Sequence, residues 1–383
     1  MKVGIDGSPL FSFSGNLTGI GQFSKYLIEA CAEEDKNTKF EIVRLLMPHR
    51  KFSSPLKNYP NLSFRIVRWL PPFIYYQAFK RIGWVPPYDL IALRKYDYFI
   101  FFNFVAYPIS KSTKSLLFVH DLSYIRYPEF VSPNNRIYLE RLVPVSISNS
   151  TRILTISEFS KKEICEYYKV PKEKVSVVTP AINHKVFYPR DKSSIRSIKE
   201  KYKIKGNYIL SVCTLEPRKN LISAIEAFEK LDDAIKEGFT LVLAGGKGWL
   251  DDELEMRINK LSSVYKVIRT GYVPDEDLPI LYSGASVFVF PSFYEGFGMP
   301  VLEAMACGTP VITSDNSSLP EVVGDAGIMI KADDSIKLSQ EIERVLNDSR
   351  LAKELRNKGI IRAKKFSWEK SARNLMQILR EMS

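Results

Sequence analysis

Short apolar runs alternate with helix-forming stretches through the second half of this 383-residue chain. Gly245 and Gly271 end two of the runs, and Asn220 is predicted to cap the helix that follows the first. Buried strands that alternate with helices predict βαβ units, and therefore a parallel sheet with helices on both faces. The strands are predicted at residues 208–213, 239–244, 266–270, 286–290 and 309–313.

The first half follows the same α/β rhythm less regularly. A chain of this length predicts two domains. We place the boundary in the charged stretch 188–205, which gives domains over residues 1–187 and 188–366. Strands are expected at residues 2–5, 40–46, 98–102, 115–119 and 152–156, and helices at 21–32 and 161–168.

Composition excludes several classes of protein. No apolar run approaches the roughly 20 residues that span a bilayer, and the first residues resemble a strand more than a secretion signal. Four cysteines without CxxC spacing and only three histidines argue against a metal cluster, so no metal is expected. The net charge of +12 favours phosphate-bearing ligands or equally reflects genome composition, and no recognised nucleic-acid-binding module accompanies it.

The most specific segment covers residues 290–308. A strand ends at Phe290, a glycine-bearing loop follows, and Pro300 suits the first turn of a helix that stops at Gly308. Backbone N–H groups at a helix start, aided by the helix dipole, bind phosphate. The N–H groups predicted to point at a diphosphate are those of Met299, Val301 and Leu302. Gly296, Phe297 and Gly298 of the loop are also predicted to bind the nucleotide sugar.

Two acids, Glu295 and Glu303, lie on either side of that phosphate loop. A glutamate one turn into a helix is placed to accept both hydroxyls of a ribose, as acidic residues do in dinucleotide-binding folds. The alternative is that both acids merely favour the helix start electrostatically. Two acids flanking a phosphate loop fit a sugar–phosphate ligand better.

Two cations, Arg218 and Lys219, follow the carboxyl end of the strand at 208–213. Ligands of open α/β sheets bind at such strand ends. Cations at a helix start oppose the helix dipole, so a purely structural role is disfavoured. They would instead offset the charge of a diphosphate, which would make a metal ion unnecessary.

Arg218-Lys219, followed by Glu295 and, after seven intervening residues, Glu303, resembles the retaining GT-B glycosyltransferases often called family 4. The resemblance implies an α/β fold of two Rossmann-like domains with parallel sheets that face each other across a cleft. The donor would bind mainly to the C-terminal domain, and a last helix, residues 367–383, would pack back on the N-terminal domain.

The resemblance also implies roles for residues in other loops. Gly19 and Gly21 match a glycine loop near the donor phosphates, although such a pair also suits a tight turn. His120 would contact the donor sugar and help to arrange the acceptor, the alternative being a hydrogen-bonded structural histidine. Tyr272 and Val273 lie in a loop whose backbone would hold the nucleotide base.

The reaction expected from the resemblance transfers a hexose with retention, and the enzyme acts in the cytoplasm at the inner face of the cell membrane. Stretches 120–124 and 215–220 look most like mannosyltransferases of surface-polysaccharide assembly, which makes GDP-mannose the favoured donor and a glycan or polyprenyl-linked lipid the acceptor. Arg218 and Lys219 would stabilise the leaving group, and Glu295 would hold the donor sugar. The rival classes are a GT-B-like nucleotide-sugar epimerase and a catalytically silent nucleotide-sugar-binding protein.

Aromatic residues alternate with Arg and Lys through residues 66–92. Amphipathic rings beside cations suit the surface of an anionic membrane. The alternative, an amphipathic helix packed on its own sheet, is expected for most of these residues, with a partly exposed tip. Peripheral contact with an anionic membrane is therefore an expectation for this segment.

Overall fold

The computed structural model describes residues 1–11, 17–47, 49–50, 52–246, 248, 256–259, 261 and 266–382. Its contacts divide the chain into two compact units. The N-terminal unit holds Met1–Pro180 and Trp368–Ser383, and the C-terminal unit holds Ala181–Ser367. The division between the units falls between Pro180 and Ala181. The boundary predicted after residue 187 lies seven residues later, in the loop that precedes the first helix of the C-terminal unit.

The N-terminal unit is built on a seven-stranded parallel sheet in the order β3-β2-β1-β4-β5-β6-β7. Its first strand is buried along most of its length, as expected for a sheet covered on both faces. The strands are β1 Lys2–Asp6, β2 Lys39–Leu45, β3 Leu62–Val67, β4 Tyr98–Phe101, β5 Lys114–Phe118, β6 Arg152–Thr155 and β7 Val175–Val177.

Helices connect these strands on both sides of the sheet. Thr18 caps the first helix by accepting a hydrogen bond from the Gly21 N–H, and Ser157 caps the sixth in the same way through Ser160. The helices are α1 Gly19–Glu34, α2 Pro72–Ile82, α3 Tyr88–Ile91, α4 Ser123–Arg126, α5 Pro133–Asn149 and α6 Glu158–Tyr168.

The C-terminal unit has a six-stranded parallel sheet in the order β10-β9-β8-β11-β12-β13. All five strands predicted in the second half of the chain are confirmed within two residues at either end. The strands are β8 Asn207–Val212, β9 Phe239–Ala244, β10 Val267–Gly271, β11 Val287–Phe290, β12 Val311–Ser314 and β13 Ile328–Ile330.

The charged stretch 188–205 contains a helix, which its weak apolar pattern had not revealed. Asp191 caps it by accepting hydrogen bonds from the Ser193 and Ser194 N–H groups. Besides a helical stretch at residues 256–259, the described helices of this unit are α7 Lys192–Lys201, α8 Leu221–Glu229, α9 Asp233–Gly238, α10 Leu278–Gly284, α11 Met299–Ala306, α12 Leu319–Val323, α13 Ser335–Asn347 and α14 Ser349–Ala363.

The last helix, α15 Trp368–Glu381, belongs to the N-terminal unit and packs on α1. The Trp368 ring stacks on Tyr26, with ring centroids 5.5 Å apart, and meets Phe23 at 5.8 Å. Aromatic pairs at these separations add to the stabilisation from burial. Ser383, the last residue of the expected helix, lies outside the described residues.

In each sheet, the direction in which successive strands are added changes at one point. In the N-terminal sheet the order reverses between β1 and β4, and in the C-terminal sheet it reverses between β8 and β11. Loops at the carboxyl ends of two such strands leave in opposite directions, which opens a crevice where α/β proteins bind ligands. The two-domain parallel α/β architecture expected from the sequence is confirmed.

None of the helices in the described part of the chain has the length and apolar character needed to cross a membrane.

Candidate active site

The candidate site of the C-terminal unit lies at the switch point between β8 and β11. Arg218 and Lys219 occupy a 3-10 turn, Pro217–Lys219, after β8, and Glu295 lies in the loop after β11. The two loops are joined through their backbones as well, since the Phe293 N–H donates to the Arg218 carbonyl at 2.9 Å. The fold thus brings three of the predicted residues together from positions 76 and 77 residues apart.

Lys219, Arg218 and Glu295 form a compact ionic cluster. Lys219 Nζ lies 2.7 Å from Glu295 Oε1, and an Arg218 guanidinium nitrogen lies 3.3 Å from Glu295 Oε2. The other terminal nitrogen of the guanidinium donates to Glu216 at 2.7 Å. The nitrogen that faces Glu295 also donates to the Tyr294 carbonyl. Each carboxylate oxygen of Glu295 therefore faces a different cation.

Glu295 is buried, and burial alone would raise its pKa. The charges of Lys219 and Arg218, with hydrogen bonds from Lys219 and Ser292, outweigh that effect and hold its pKa below the usual range. The Ser292 hydroxyl donates to Glu295 Oε1 at 2.7 Å. Glu295 is consequently an ionised acceptor whose orientation is fixed from two sides.

Asn220 is the N-cap residue of α8, as predicted, but its side chain does not act as the cap. Asn220 precedes α8 in a left-handed conformation, with φ 52°, and its side chain makes no cap hydrogen bond. Its amide nitrogen donates instead to the carbonyls of Pro291, at 3.0 Å, and Ala332, at 2.6 Å. Asn220 therefore ties the end of the Arg218–Lys219 turn to the loop after β11.

A close backbone approach also fixes the loop after β8. Gly245, with φ 146°, lies so near the Cys213 carbonyl that a Cβ atom there would come within 1.8 Å of its oxygen. Only glycine fits such a position. The Leu215 N–H donates to the Gly246 carbonyl at 3.1 Å, which adds a second link to the loop that carries Arg218 and Lys219.

The predicted phosphate loop leads directly into α11. Gly298 adopts φ 110° immediately before the helix, where a Cβ atom would lie 2.7 Å from the Leu319 side chain. The Ser318 hydroxyl fixes the loop that precedes Gly298 by hydrogen bonding to the carbonyls of Glu295, at 2.8 Å, and Phe297, at 2.9 Å. Gly296 and Phe297 are buried in this loop.

One part of the predicted phosphate contact is wrong. The N–H groups of Val301 and Leu302, expected to point at a diphosphate, both donate to the Gly298 carbonyl, at 3.1 and 3.3 Å. They close the first turn of the helix. No acceptor for the Met299 N–H lies among the described residues, so Met299 keeps the geometry that was predicted for all three.

Glu303 lies one turn into α11 and is partly exposed. The Tyr282 hydroxyl donates to Glu303 Oε2 at 2.9 Å. Burial by the surrounding atoms raises the pKa of Glu303 to about 7; the Tyr282 hydrogen bond acts against that rise, and Asp275 adds to it. Glu303 therefore exchanges its proton near neutral pH, whereas Glu295 does not.

The base loop predicted from the sequence follows β10. Gly271 has φ 70°, the Tyr272 side chain is exposed, and Val273 is buried. The loop is thus anchored by Val273 and presents Tyr272 to solvent. Its backbone leaves the strand at the same edge of the sheet as the loops after β8 and β11, since all three strands are parallel.

The remaining predicted residues belong to the N-terminal unit. Gly21 has to be glycine, because a Cβ atom there would lie 2.6 Å from the Pro9 carbonyl oxygen. Gly19 begins α1 and is exposed, and a Cβ atom there would lie within 4 Å of no atom of the described residues beyond its neighbours in the helix. Packing among the described residues therefore explains why position 21 is glycine but does not explain position 19.

His120 follows β5 and is buried among the rings of Phe23, Phe104 and Phe118, with centroids 5.5 to 5.8 Å away. Its Nε2 lies 2.7 Å from the Phe102 carbonyl oxygen. A carbonyl oxygen only accepts, so Nε2 carries the hydrogen and Nδ1 has the lone pair in the neutral ring. Burial lowers the pKa of His120, while the Phe102 bond and Asp121 oppose that shift.

Sequence reasoning missed four side chains of the C-terminal site. Three of them bond a predicted site residue, whereas Asn220, predicted only as a helix cap, bonds the carbonyls of Pro291 and Ala332. The sequence offers nearness as a signal for Glu216, two positions from Arg218, and for Ser292, three positions from Glu295. Among the described residues, no group of three or more His, Cys, Asp or Glu side chains is arranged to hold a metal ion. The missed residues are Glu216, Asn220, Tyr282 and Ser292.

Comparison with known families gives matches over most of both units. The family described as glycosyl transferases group 1 matches residues 194–366. The family described as glycosyltransferase family 4 matches residues 28–186. The first of these ranges contains the whole ionic cluster and Glu303, and the second contains His120.

Individual proteins match along nearly the full chain. O-antigen chain mannosyltransferase B of Escherichia coli is 34% identical over 362 residues, which cover 92% of this chain and 93% of that enzyme. Sucrose-phosphate synthase of Thermosynechococcus elongatus has the same fold, with a TM-score of 0.73, 21% identity, and coverage of 100% of this chain and 98% of that one. HepE of Anabaena, solved with UDP and glucose, gives a TM-score of 0.70 at 16% identity and covers 99% of each chain.

Proposed function

We propose a specific sugar transfer for this chain, which belongs to the family of glycosyl transferases group 1. The chain is a glycosyltransferase, and the proposed reaction moves mannose, with retention, from GDP-mannose to a glycan or polyprenyl-linked acceptor during surface-polysaccharide synthesis. The observation that carries the proposal is the cluster of Lys219, Arg218 and Glu295 at the switch point of the C-terminal sheet.

The leaving group in this reaction is a nucleoside diphosphate, which needs its negative charge stabilised more than it needs a proton. Arg218 and Lys219 supply two positive charges at one strand end, and Arg can bond two oxygens at once. The Met299 N–H at the start of α11 adds a backbone donor and the favourable end of the helix dipole. No metal ion is required by this arrangement, and we propose that none takes part.

Glu295 is proposed to hold hydroxyls of the transferred sugar. It is ionised and already held by Ser292, so its carboxylate is oriented before a ligand arrives. A ligand that bonds both Glu295 and the two cations has to enter the cluster where Lys219 now bonds Glu295. A nucleotide sugar meets that condition, because its diphosphate and its sugar hydroxyls complement groups of opposite charge.

Glu303 is proposed to accept hydrogen bonds from the ribose hydroxyls, with the backbone of Tyr272 and Val273 against the base. Gly19 and Gly21 of the N-terminal unit are proposed to approach the phosphates, and His120 the donor sugar.

In the proposed step the bond between the anomeric carbon and the diphosphate oxygen breaks, and a bond from that carbon to the acceptor oxygen forms. The acceptor enters on the face that the diphosphate leaves, which retains the configuration. The acceptor proton passes to an oxygen of the departing phosphate. Glu295 is not assigned the role of a nucleophile, because both its oxygens are held by cations.

Mannose and GDP are favoured by the name and the 34% identity of the Escherichia coli O-antigen mannosyltransferase. The same likeness favours an acceptor in a surface polysaccharide. An acceptor on a lipid carrier would require the enzyme to work at the cytoplasmic face of the membrane. We therefore include peripheral contact with an anionic membrane in the proposal.

The test is incubation of the purified chain with a panel of nucleotide sugars, with and without a chelator, while released nucleotide is measured. Release of GDP from GDP-mannose, unchanged by the chelator, is expected. Conversion of a nucleotide sugar into its epimer without release would identify an epimerase. Tight binding with neither release nor epimerisation would identify a silent binding protein, and either result would overturn the proposal.

A further inference from the structure

Helix α2 of the N-terminal unit has two faces of different character. Tyr75 and Phe79, four residues apart, are buried and hold the helix on the core. Phe73, Ile74 and Ile82 point outward and are 56% to 74% exposed. We call these three residues, together with Lys80 and Arg81, the α2 face.

Exposed apolar side chains are concentrated in the segment of the chain that carries this face. Residues 69–93 contain seven of the eighteen exposed large hydrophobic side chains among the described residues. Two of the seven are tryptophans on either side of the helix, Trp69 and Trp84, 62% and 68% exposed. Large exposed apolar patches mark interaction sites, and tryptophan is the residue enriched where water meets lipid.

The segment that carries the α2 face has charges of a single sign. Residues 42–88 contain eight Lys and Arg residues and no Asp or Glu. In the described part of the chain, no carboxylate forms an ion pair with Lys80, Arg81 or Arg141. A long segment that contains cations and no carboxylate attracts anionic surfaces within about a Debye length.

A pocket of about 420 Å³ lies between α2 and α5, beside the α2 face. Lys80, Arg81 and Arg141 contribute to its wall, and Ile137, 62% exposed, supplies an apolar edge. Arg141 donates to the Arg81 carbonyl at 3.2 Å, which fixes one cation at the pocket. Three cations around a small pocket suit a phosphate group.

We infer that the α2 face and this pocket dock the enzyme peripherally on an anionic phospholipid bilayer. Phe73, Ile74 and Ile82 enter the interface, while Lys80 and Arg81 keep their charged ends among the head-group phosphates. A second copy of this chain is a poorer occupant. Symmetric pairing through the α2 face would bring the cations of both copies together.

The inference rests on the membrane contact in the proposed function and not on its sugar chemistry. It locates the contact on one helix and one pocket of the N-terminal unit. The residues of the ionic cluster belong to the other unit. Docking and nucleotide release can therefore be measured independently on the same variants.

The experiment is sedimentation of the full chain with vesicles of phosphatidylglycerol and phosphatidylcholine, or of phosphatidylcholine alone. Binding is expected only to the anionic vesicles. Each cation near an anionic surface contributes about fivefold in partitioning, so Lys80→Gln with Arg81→Gln is expected to weaken binding about thirtyfold. The matched control, Arg350→Gln with Lys353→Gln on α14, removes the same charge from exposed positions and is expected to leave binding nearly unchanged.

A second double variant tests the contribution of the exposed apolar side chains to vesicle binding. Phe73→Ser with Ile74→Ser keeps every charge, and it is expected to remove the binding that survives at high salt. Inorganic phosphate at the concentration of the vesicle head groups is expected to leave vesicle binding intact. Displacement by phosphate would show a free-anion site and would overturn docking on the bilayer.

Two other results would also overturn the inference. One is equal loss of vesicle binding in the α14 control and the α2 variants, which would indicate attraction by overall charge alone. The other is a dimer in the absence of vesicles that the Phe73→Ser, Ile74→Ser change dissolves, which would assign the face to a second copy. Nucleotide release with a water-soluble acceptor stays normal in all α2 variants, so a failed glycosyltransferase assay would be a separate result.

Discussion

Lys219 places its Nζ 2.7 Å from Glu295 Oε1, and this contact joins the loops that follow two adjacent parallel strands, β8 and β11. The pair is nearly out of solvent, with side-chain exposures of 12% and 8%. Ion pairs with little access to water are screened less than surface pairs, so the contact sets both the charge of Glu295 and the position of Lys219. Predictions about either residue therefore involve the other.

Replacing Lys219 by alanine is expected to leave the fold intact and to reduce nucleotide release severely. The change removes one of two charges proposed to stabilise the leaving diphosphate, and loss of one such group typically lowers kcat by about a hundredfold to a thousandfold. The measurement is kcat for GDP release from GDP-mannose, with circular dichroism to verify folding.

The matched control is Lys353→Ala, which removes the same charge from an exposed position on α14. Its kcat is expected to equal that of the unchanged protein. Turnover near normal in Lys219→Ala would contradict the role given to Lys219.

Replacing Glu295 by glutamine is expected to destabilise the C-terminal unit at neutral pH and much less in acid. The folded-state pKa of Glu295 lies below its unfolded value of about 4.5. Its stabilising contribution is therefore complete above that value and disappears as the pH falls through the folded pKa. Hydrogen bonds to a charged group contribute about 1.5–3 kcal/mol, which sets the expected loss.

Urea unfolding of both proteins at neutral and acidic pH measures this difference. The gap between the two midpoints should narrow in acid. A gap of equal size at both pH values would mean that the ion pairs with Lys219 and Arg218 contribute nothing to stability.

Much of the C-terminal fold could be predicted because its signals are local. Strands such as β9 and β11 are apolar runs followed by turn residues. Gly298 indicates a backbone turn with positive φ, which glycine adopts readily. The short strands β7 and β13, three residues each, carry no pattern long enough to detect. Each of these short strands forms by pairing with a neighbouring strand, and the order of the strands in the sheet cannot be read from their order in the sequence.

The site was less predictable where one side chain acts on another far along the chain. Tyr282 bonds Glu303 from 21 residues away, and Asn220 bonds Ala332 from 112 residues away. The local sequence predicts Asn220 as the N-cap of α8, but it does not show that the side chain bonds distant carbonyls instead of the helix. For Val301, the sequence indicated a helix start but could not show that Gly298 would take its N–H.

Donor affinity is expected to depend on pH through Glu303. Its pKa is about 7, so the carboxylate that accepts ribose hydroxyls becomes the minority form in more acidic solution. Binding of GDP-mannose should weaken by up to about tenfold for each pH unit below that value. Calorimetric titration across neutral pH measures it, and the sugar nucleotide serves well because its diphosphate keeps its charge over this range.

Tyr282→Phe is a control that keeps the Glu303 carboxyl group and removes one hydrogen bond to it. Removing its hydroxyl removes the hydrogen bond that lowers the pKa of Glu303, so the midpoint of the affinity curve should move to higher pH. Glu303→Gln should abolish the pH dependence. An unchanged midpoint in Tyr282→Phe would show that Glu303 is not the titrating group.

His120 is expected to stay neutral with the hydrogen on Nε2. Burial lowers its pKa below 6.5, and the Phe102 carbonyl fixes the tautomer. The chain has only three histidines. In the double variant His49→Gln with His184→Gln, His120 is the one histidine left to observe by nitrogen NMR. A protonated δ nitrogen at neutral pH would contradict the assignment.

Asn220 offers the sharpest test of how the ionic cluster is positioned. Asn220→Ala leaves the Pro291 and Ala332 carbonyls without a buried donor and forces a residue with a Cβ atom, but without a polar side chain, to adopt φ 52°. Loss of two hydrogen bonds together with the backbone strain should cost about 2–4 kcal/mol in the free energy of unfolding. Asn220→Gly is the matched variant, because it loses the same bonds and removes the strain, so its destabilisation should be smaller. Both should lower kcat for GDP release, since each frees the turn that carries Arg218 and Lys219 from the loop after β11. Full activity in the glycine variant would show that the Arg218 carbonyl and its Phe293 hydrogen bond hold the turn without Asn220.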